Sequence, residues 1–101
     1  MPKGYILATI DIPDATAYAQ SGYMAMAQAS VAAHGGKFLI RGGDPEVLEG
    51  PPVADRIVVL EFPTREAARA FYHSEQYAPA IALRQTLSTG SLLLLSEHGP
   101  A

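Results

Sequence analysis

The sequence predicts an α+β domain in which strands and helical regions alternate as β-α-β-β-α-β around an antiparallel sheet. Three observations lead there. Strand-like runs stand at both ends of the chain and twice in its middle, and helix-like stretches separate the first run from the second and the third from the fourth. The most regular run, Arg56-Ile57-Val58-Val59-Leu60-Glu61-Phe62, is apolar on both faces, with Val58, Leu60 and Phe62 on one and Ile57 and Val59 on the other. A sheet with water on one side alternates apolar with polar residues. Two helical regions cover one face, so the other needs a second cover, most simply another copy of the chain. Finally, 49% of the residues are apolar and 17% are charged. The charged share falls below the roughly 25% of ordinary soluble domains, as expected where association hides surface.

The elements follow in order. The first strand is expected over residues 5–10, ended by Asp11-Ile12-Pro13-Asp14. Asp14 is a good N-cap, since its carboxylate accepts the free amides of the following turn. One helix is expected from Ala15 to about Ala33, stopped by His34-Gly35-Gly36. It contains no charged residue, which raises the question of a membrane span. Its alanine-rich composition and its polar Thr16, Gln20, Ser21, Gln28 and Ser30 argue against one. A helical wheel puts Tyr18, Gly22, Met26 and Ala29 on the sheet side, and Met24, Ala27 and Val31 on the opposite side. That opposite side reads either as the outside of a weakly amphipathic surface helix or as a second protein contact.

The second strand is expected over residues 37–41, with Gly42-Gly43-Asp44-Pro45 as a turn or bulge. Residues 46–49 are expected to form a short strand extending a hairpin arm, broken by Gly50-Pro51-Pro52. The third strand is residues 56–62. Thr64 is the expected N-cap of the second helical region, with Glu66 favourably placed in its first turn. Pro79 cannot sit deep in a continuing helix, so a break is expected around His73-Ser74-Glu75-Gln76 and a new helix from Tyr77 or Ala78 to Leu87. Gly90 is expected to mark the turn into a last strand over residues 91–96, with a frayed tail after Glu97.

At 101 residues the whole chain, 1–101, reads as a single domain. A net charge of −3 carries no basic footprint for nucleic acid. The absence of cysteine excludes disulfides, thiol nucleophiles and thiolate metal sites. The N-terminal Met1-Pro2-Lys3-Gly4-Tyr5 enters a strand almost at once and does not resemble a secretory signal, so a cytoplasmic location is expected.

Two β-α-β units on an antiparallel sheet make the ferredoxin-like arrangement. A resemblance then becomes specific. His34-Gly-Gly-Lys-Phe-Leu-Ile-Arg-Gly-Gly43, Val47-Leu48-Glu49-Gly50, Arg56-Ile-Val-Val-Leu-Glu-Phe-Pro63, Tyr72-His-Ser-Glu-Gln-Tyr77 and Arg84 occur in the order and spacing of one pattern. In these the chain resembles the DUF1330 family, a widespread, mostly bacterial family of unknown function. That family belongs with the dimeric α+β barrels, which include cofactor-free monooxygenases, lactone isomerases and haem-binding relatives. The resemblance implies a fold and a homodimer, and carries no reaction.

The candidate ligand-binding residues are Arg41, Tyr77, Arg84, Glu61 and Tyr72. Arg41 ends an apolar strand before two glycines. Its guanidinium could hold a carboxylate or enolate in a bidentate fork, or pair with Glu49 or Glu61 across the sheet. Tyr72, His73, Ser74, Tyr77 and Arg84 cluster around the helix break. Tyr77 could donate to a developing oxyanion, with Arg84 seven residues on and on the same helical face. Equally, Ser74 could cap a helix, Tyr77 pack at a rim and Arg84 form a salt bridge. His34, His73 and His98 have no ligand-like spacing, so no metal and no cofactor are expected. Neither glycine pair forms a phosphate loop, and no nucleophile elbow is present. Two functions stand: a cofactor-free site for a small anionic or phenolic/enolic molecule, or a non-catalytic dimeric binding or interaction module. Neither involves nucleic acid or a membrane.

Overall fold

The computed structural model describes residues 2–99. Its elements are β1 (Gly4–Asp11), α1 (Ala15–Gln20), α2 (Tyr23–Ala33), β2 (Lys37–Gly42), β3 (Arg56–Phe62), α3 (Arg65–Tyr72), α4 (Ala78–Leu87) and β4 (Thr89–Ser96). The strands form one antiparallel sheet in the order β2-β3-β1-β4. This is the α+β, ferredoxin-like arrangement expected, with β1 and β3 at its centre.

Register decides which side chains meet the helices. Ile6 stands opposite Leu60 and Leu94, and Ala8 opposite Val58 and Leu92. These helix-facing positions build a core with Val31, Ala68, Phe71 and Ala80, in which Phe62 and Phe71 are almost wholly buried. On the other face Leu7 stands between Val59 and Leu93, and Tyr5 between Glu61 and Leu95. Ile40, Leu93 and Leu95 are 44%, 51% and 42% exposed there. The open face is therefore apolar along its middle, as the two-faced pattern of β3 requires. Glu61 is its charged exception. It is only 7% exposed because Lys3 and Lys37 close on its two carboxylate oxygens at 2.7 and 3.5 Å.

The caps hold as read from the sequence. Asp14 accepts from the Ala17 amide and Thr64 from the Ala67 amide, each at 3.0 Å. Ser74 ends α3 and starts the next turn, donating to the Phe71 carbonyl at 2.8 Å and accepting from the Tyr77 amide at 3.1 Å. Pro79 falls in the first turn of α4, where its missing amide hydrogen costs nothing.

Three expectations need correction. The first helical region is two helices, not one. Ser21 accepts from the Tyr23 amide at 3.1 Å and Gly22 takes a left-handed φ of +85°, so the chain turns there. That turn resets the helical phase. Tyr23, Ala27, Ser30 and Val31 are buried, whereas Gly22 and Ala29 are exposed and Met26 is half-buried. Ala27 and Val31 thus lie on the sheet side, opposite to the wheel. Residues 46–49 form no strand. They lie in an irregular, exposed segment over residues 43–55, because the β2–β3 ladder ends at Gly42 and Ile57. Gly90 lies inside β4, paired with Ile10, rather than in a turn before it.

No helix among the described residues is long and apolar enough to cross a membrane.

Candidate functional site

Six polar side chains converge between the helices and the sheet. Arg41 comes from β2 and Arg56 from β3, both on the helix-facing side, since Arg41 pairs with Val58 and Arg56 with Ile10. Tyr18 comes from α1, Tyr23 from α2, Tyr77 from the turn before α4 and Arg84 from α4 itself. All six line one cavity, whose floor includes Ile6, Ala8 and Leu60. Its volume is about 30 Å³, room for a water or two by the usual 10–15 Å³ per site.

The tyrosines form a cluster. Tyr18 and Tyr23 rings lie 5.6 Å apart and Tyr23 and Tyr77 rings 6.4 Å apart, and the Tyr23 and Tyr77 hydroxyls share a hydrogen bond of 2.5 Å. Burial pushes the Tyr23 hydroxyl far above the ordinary phenol range, with the neighbouring Tyr77 adding to the rise. Burial also raises Tyr18. Both phenols are therefore neutral near pH 7 and can donate a hydrogen bond, which suits them to an oxyanion rather than to proton abstraction.

Among the described residues the three arginines of the cavity have no counter-ion. The ion pairs among the described residues are those of Glu61 with Lys3 and Lys37, and none involves Arg41, Arg56 or Arg84. Arg41 stacks over the Phe38 ring at 4.3 Å and reaches the Met24 carbonyl at 3.4 Å. Arg84 is 6% exposed, and its Nε and that of Arg56 are buried with no hydrogen-bond partner. Burial works against the Arg84 charge, but the Tyr77 and Tyr23 oxygens beside it more than compensate, leaving it more basic than usual. No Asp, Glu, His or Ser lines the cavity. Its chemistry is thus to hold negative charge between guanidinium forks and phenol donors.

Of the residues singled out from the sequence, Arg41, Tyr77 and Arg84 are brought together here. Glu61 is not: it lies on the open face of the sheet, occupied by two lysines. Tyr72 lines a neighbouring cleft between α3, α4 and β4, of about 330 Å³, which shares Ile6, Arg84 and Leu92 with the cavity. Arg56, Tyr18 and Tyr23 were not singled out as site residues. Arg56 was within reach, because it has the same parity along β3 as Val58 and Leu60. Among the described residues no group of His, Asp and Glu is placed to hold a metal.

The family model for the domain of unknown function DUF1330 matches residues 3–98. The chain belongs to the DUF1330 family. Among curated proteins none matches the chain in sequence. Solved structures match it in fold. The RPA0582 protein of unknown function from Rhodopseudomonas palustris is 20% identical, with 98% of this chain and 85% of that one covered at a TM-score of 0.72. Its methylated form, at 21% identity, gives 98%, 83% and 0.75. SnoaB from Streptomyces nogalater, a cofactor-independent oxygenase, is 18% identical, with 98% and 96% covered at 0.63. These likenesses show that the DUF1330 chain shares the α+β fold of these proteins.

Proposed function

We propose that this protein binds a small anionic, phenolic or enolic molecule at the Arg41–Arg56–Arg84 cavity, without a cofactor. One observation carries the reading: three guanidinium groups meet beside three tyrosines with no carboxylate among them. An uncompensated buried charge costs several kcal/mol, so an anion placed there restores what the protein leaves unpaired. Tyr18 and whichever hydroxyl of the Tyr23–Tyr77 pair keeps its proton free would then donate to the bound oxygen, stabilising an enolate or phenolate. A fold shared with a cofactor-independent oxygenase is in keeping with chemistry done by side chains alone.

The test is a thermal-shift titration with oxalate and 4-hydroxybenzoate. Binding at a hundred times Kd stabilises a protein by about 2.7 kcal/mol, a readily seen shift. Arg84→Ala should abolish it. No shift with either anion refutes the reading.

The second reading is a non-catalytic dimeric module. It is favoured by the small cavity volume and by the apolar open face, where Leu93 and Leu95 are half exposed. Both readings include a homodimer with a two-fold, face-to-face contact. Such obligate contacts bury more than about 2,000 Å². Light scattering at micromolar concentration should give a dimer or a multiple of it, and Leu93→Lys should shift it to monomer; a stable wild-type monomer would remove the homodimer from both.

A further inference from the structure

The cavity and its neighbouring cleft differ tenfold in size, about 30 against about 330 Å³. The smaller, in its resting form, falls short of the space a six-membered ring needs and would have to open to take one. The larger sits at the low end of the roughly 300–1,000 Å³ of small-molecule sites. Arg84 touches both. It is more than nine-tenths buried, its Nε has no partner, and no carboxylate lines the cleft. The rest of the cleft is of another kind. Ala68, Leu92 and Leu94 give it an apolar floor, Tyr72 stands at its side, and the exposed Arg69, His73 and Gln85 form a polar rim. The Tyr72 ring meets the Tyr77 ring edge-on at 6.1 Å, so it separates the tyrosine cluster from the cleft. An aromatic wall, an aliphatic floor and one buried, unpaired guanidinium make an amphipathic site.

We infer that the cleft between α3, α4 and β4 takes the apolar body of an aromatic carboxylate whose carboxylate lies against Arg84. The inference rests on the anion-binding reading above and adds where the rest of the molecule lies. A one- or two-ring acid fits both the volume and the chemistry. The ring stacks beside Tyr72 over Leu92 and Leu94, and the carboxylate ends at the guanidinium.

The probes are 2-naphthoate, which has a body, and oxalate, which has none. Binding is followed by calorimetry, with amide shifts in NMR spectra to locate it. Two variants alter the cleft: Tyr72→Ala removes the wall, and Gln85→Trp, at an exposed rim position outside the cavity, fills the mouth without disturbing the core. Each should weaken 2-naphthoate by about tenfold or more, and Gln85→Trp should leave the oxalate response unchanged. Arg84→Ala should remove both. Amides of Ala68, Tyr72 and Leu94 should shift with 2-naphthoate. If both cleft variants bind 2-naphthoate as the parent does, or if 2-naphthoate fails to bind while oxalate does, the cleft inference is overturned and the cavity reading stands. If neither anion binds, both fall.

Discussion

The hydroxyl pair of Tyr23 and Tyr77 sets a quantitative test of how this core is held. Tyr23 is 8% exposed and Tyr77 2%, and their oxygens lie 2.5 Å apart, each facing the other. Tyr77→Phe deletes one oxygen and leaves the Tyr23 hydroxyl buried without its partner. Stranding a buried polar group costs about 1–3 kcal/mol. For a domain of this size each kcal/mol moves the melting temperature by roughly 4–8 °C, so the fall should be about 4–24 °C. Arg84, beside both oxygens, favours the low end if it takes up the stranded hydroxyl. Tyr23→Phe should cost a similar amount. The double variant should cost much less than the two together, because removing both partners leaves nothing stranded. The assay is a set of four calorimetric melts at one fixed protein concentration, so that self-association weighs equally on all four. Two losses that simply add in the double variant would show that each hydroxyl has some other partner, and the picture of a mutually satisfied pair would be wrong.

Leu60, 6% exposed on a central strand, should not tolerate charge. Leu60→Asp buries an unpaired carboxylate at several kcal/mol and should yield insoluble or unfolded protein; a parent-like melt would contradict the placement of β3. Gly90→Ala should lower the urea midpoint, because a Cβ there would lie 1.9 Å from the Thr9 carbonyl oxygen at a φ of +150°, whereas Gly99→Ala, with nothing within 4 Å, should not. The hydrogen bond from Lys3 holds the Glu61 carboxyl below its ordinary range. A lowered folded-state value means stabilisation that is present above the unfolded value of about 4.3 and is lost as pH falls through the folded one. Lys3 is raised by the same bond, so its share persists to the alkaline side of the ordinary lysine range. Denaturation midpoints at pH 7, 4 and 3 should therefore fall more steeply for the parent than for Glu61→Gln; parallel profiles would count against the pair.

Much of this structure was legible because single residues carried strong local signals. Arg56 to Phe62 are strand formers closed by Pro63, and β3 has those bounds. Asp14 and Thr64 announce helix starts, and Ser74 with Pro79 announces the break between α3 and α4. The break at Ser21 and Gly22 carried no such signal. A glycine in an alanine-rich run costs only about 1 kcal/mol if the helix continues, and burying Tyr23 beside Tyr18 and Tyr77 overrides so small a preference. The same unseen turn hid Tyr23 from the site, since its facing depends on helical phase. Arg41 and Tyr77 could be picked out because each stands beside glycine or a helix break, and Arg84 because it lies seven residues from Tyr77 on the same helical face. Their convergence is set by the β2–β3 register, including the irregularity between Phe38 and Ile40. That spacing brings Arg41 to the helix side, and no sequence pattern specifies it.

The division of the helical layer into four pieces has a thermodynamic consequence. The pieces are 6, 11, 8 and 10 residues long. Helices so short are unstable alone in water, and each persists only while its apolar side rests on the sheet. The turns at Gly22 and Ser74 let one piece come away without dragging its neighbour. The sheet has no comparable seam, since β1 is hydrogen-bonded along its length on both sides. The molecule is thus a firm floor under a jointed ceiling, and partial opening of the ceiling costs far less than global unfolding. Amide hydrogen exchange should resolve two classes: α1, with only Tyr18 buried, exchanging early, and β1 exchanging near the global limit. A space of about 30 Å³ under such a ceiling is the resting size of the cavity, not its capacity.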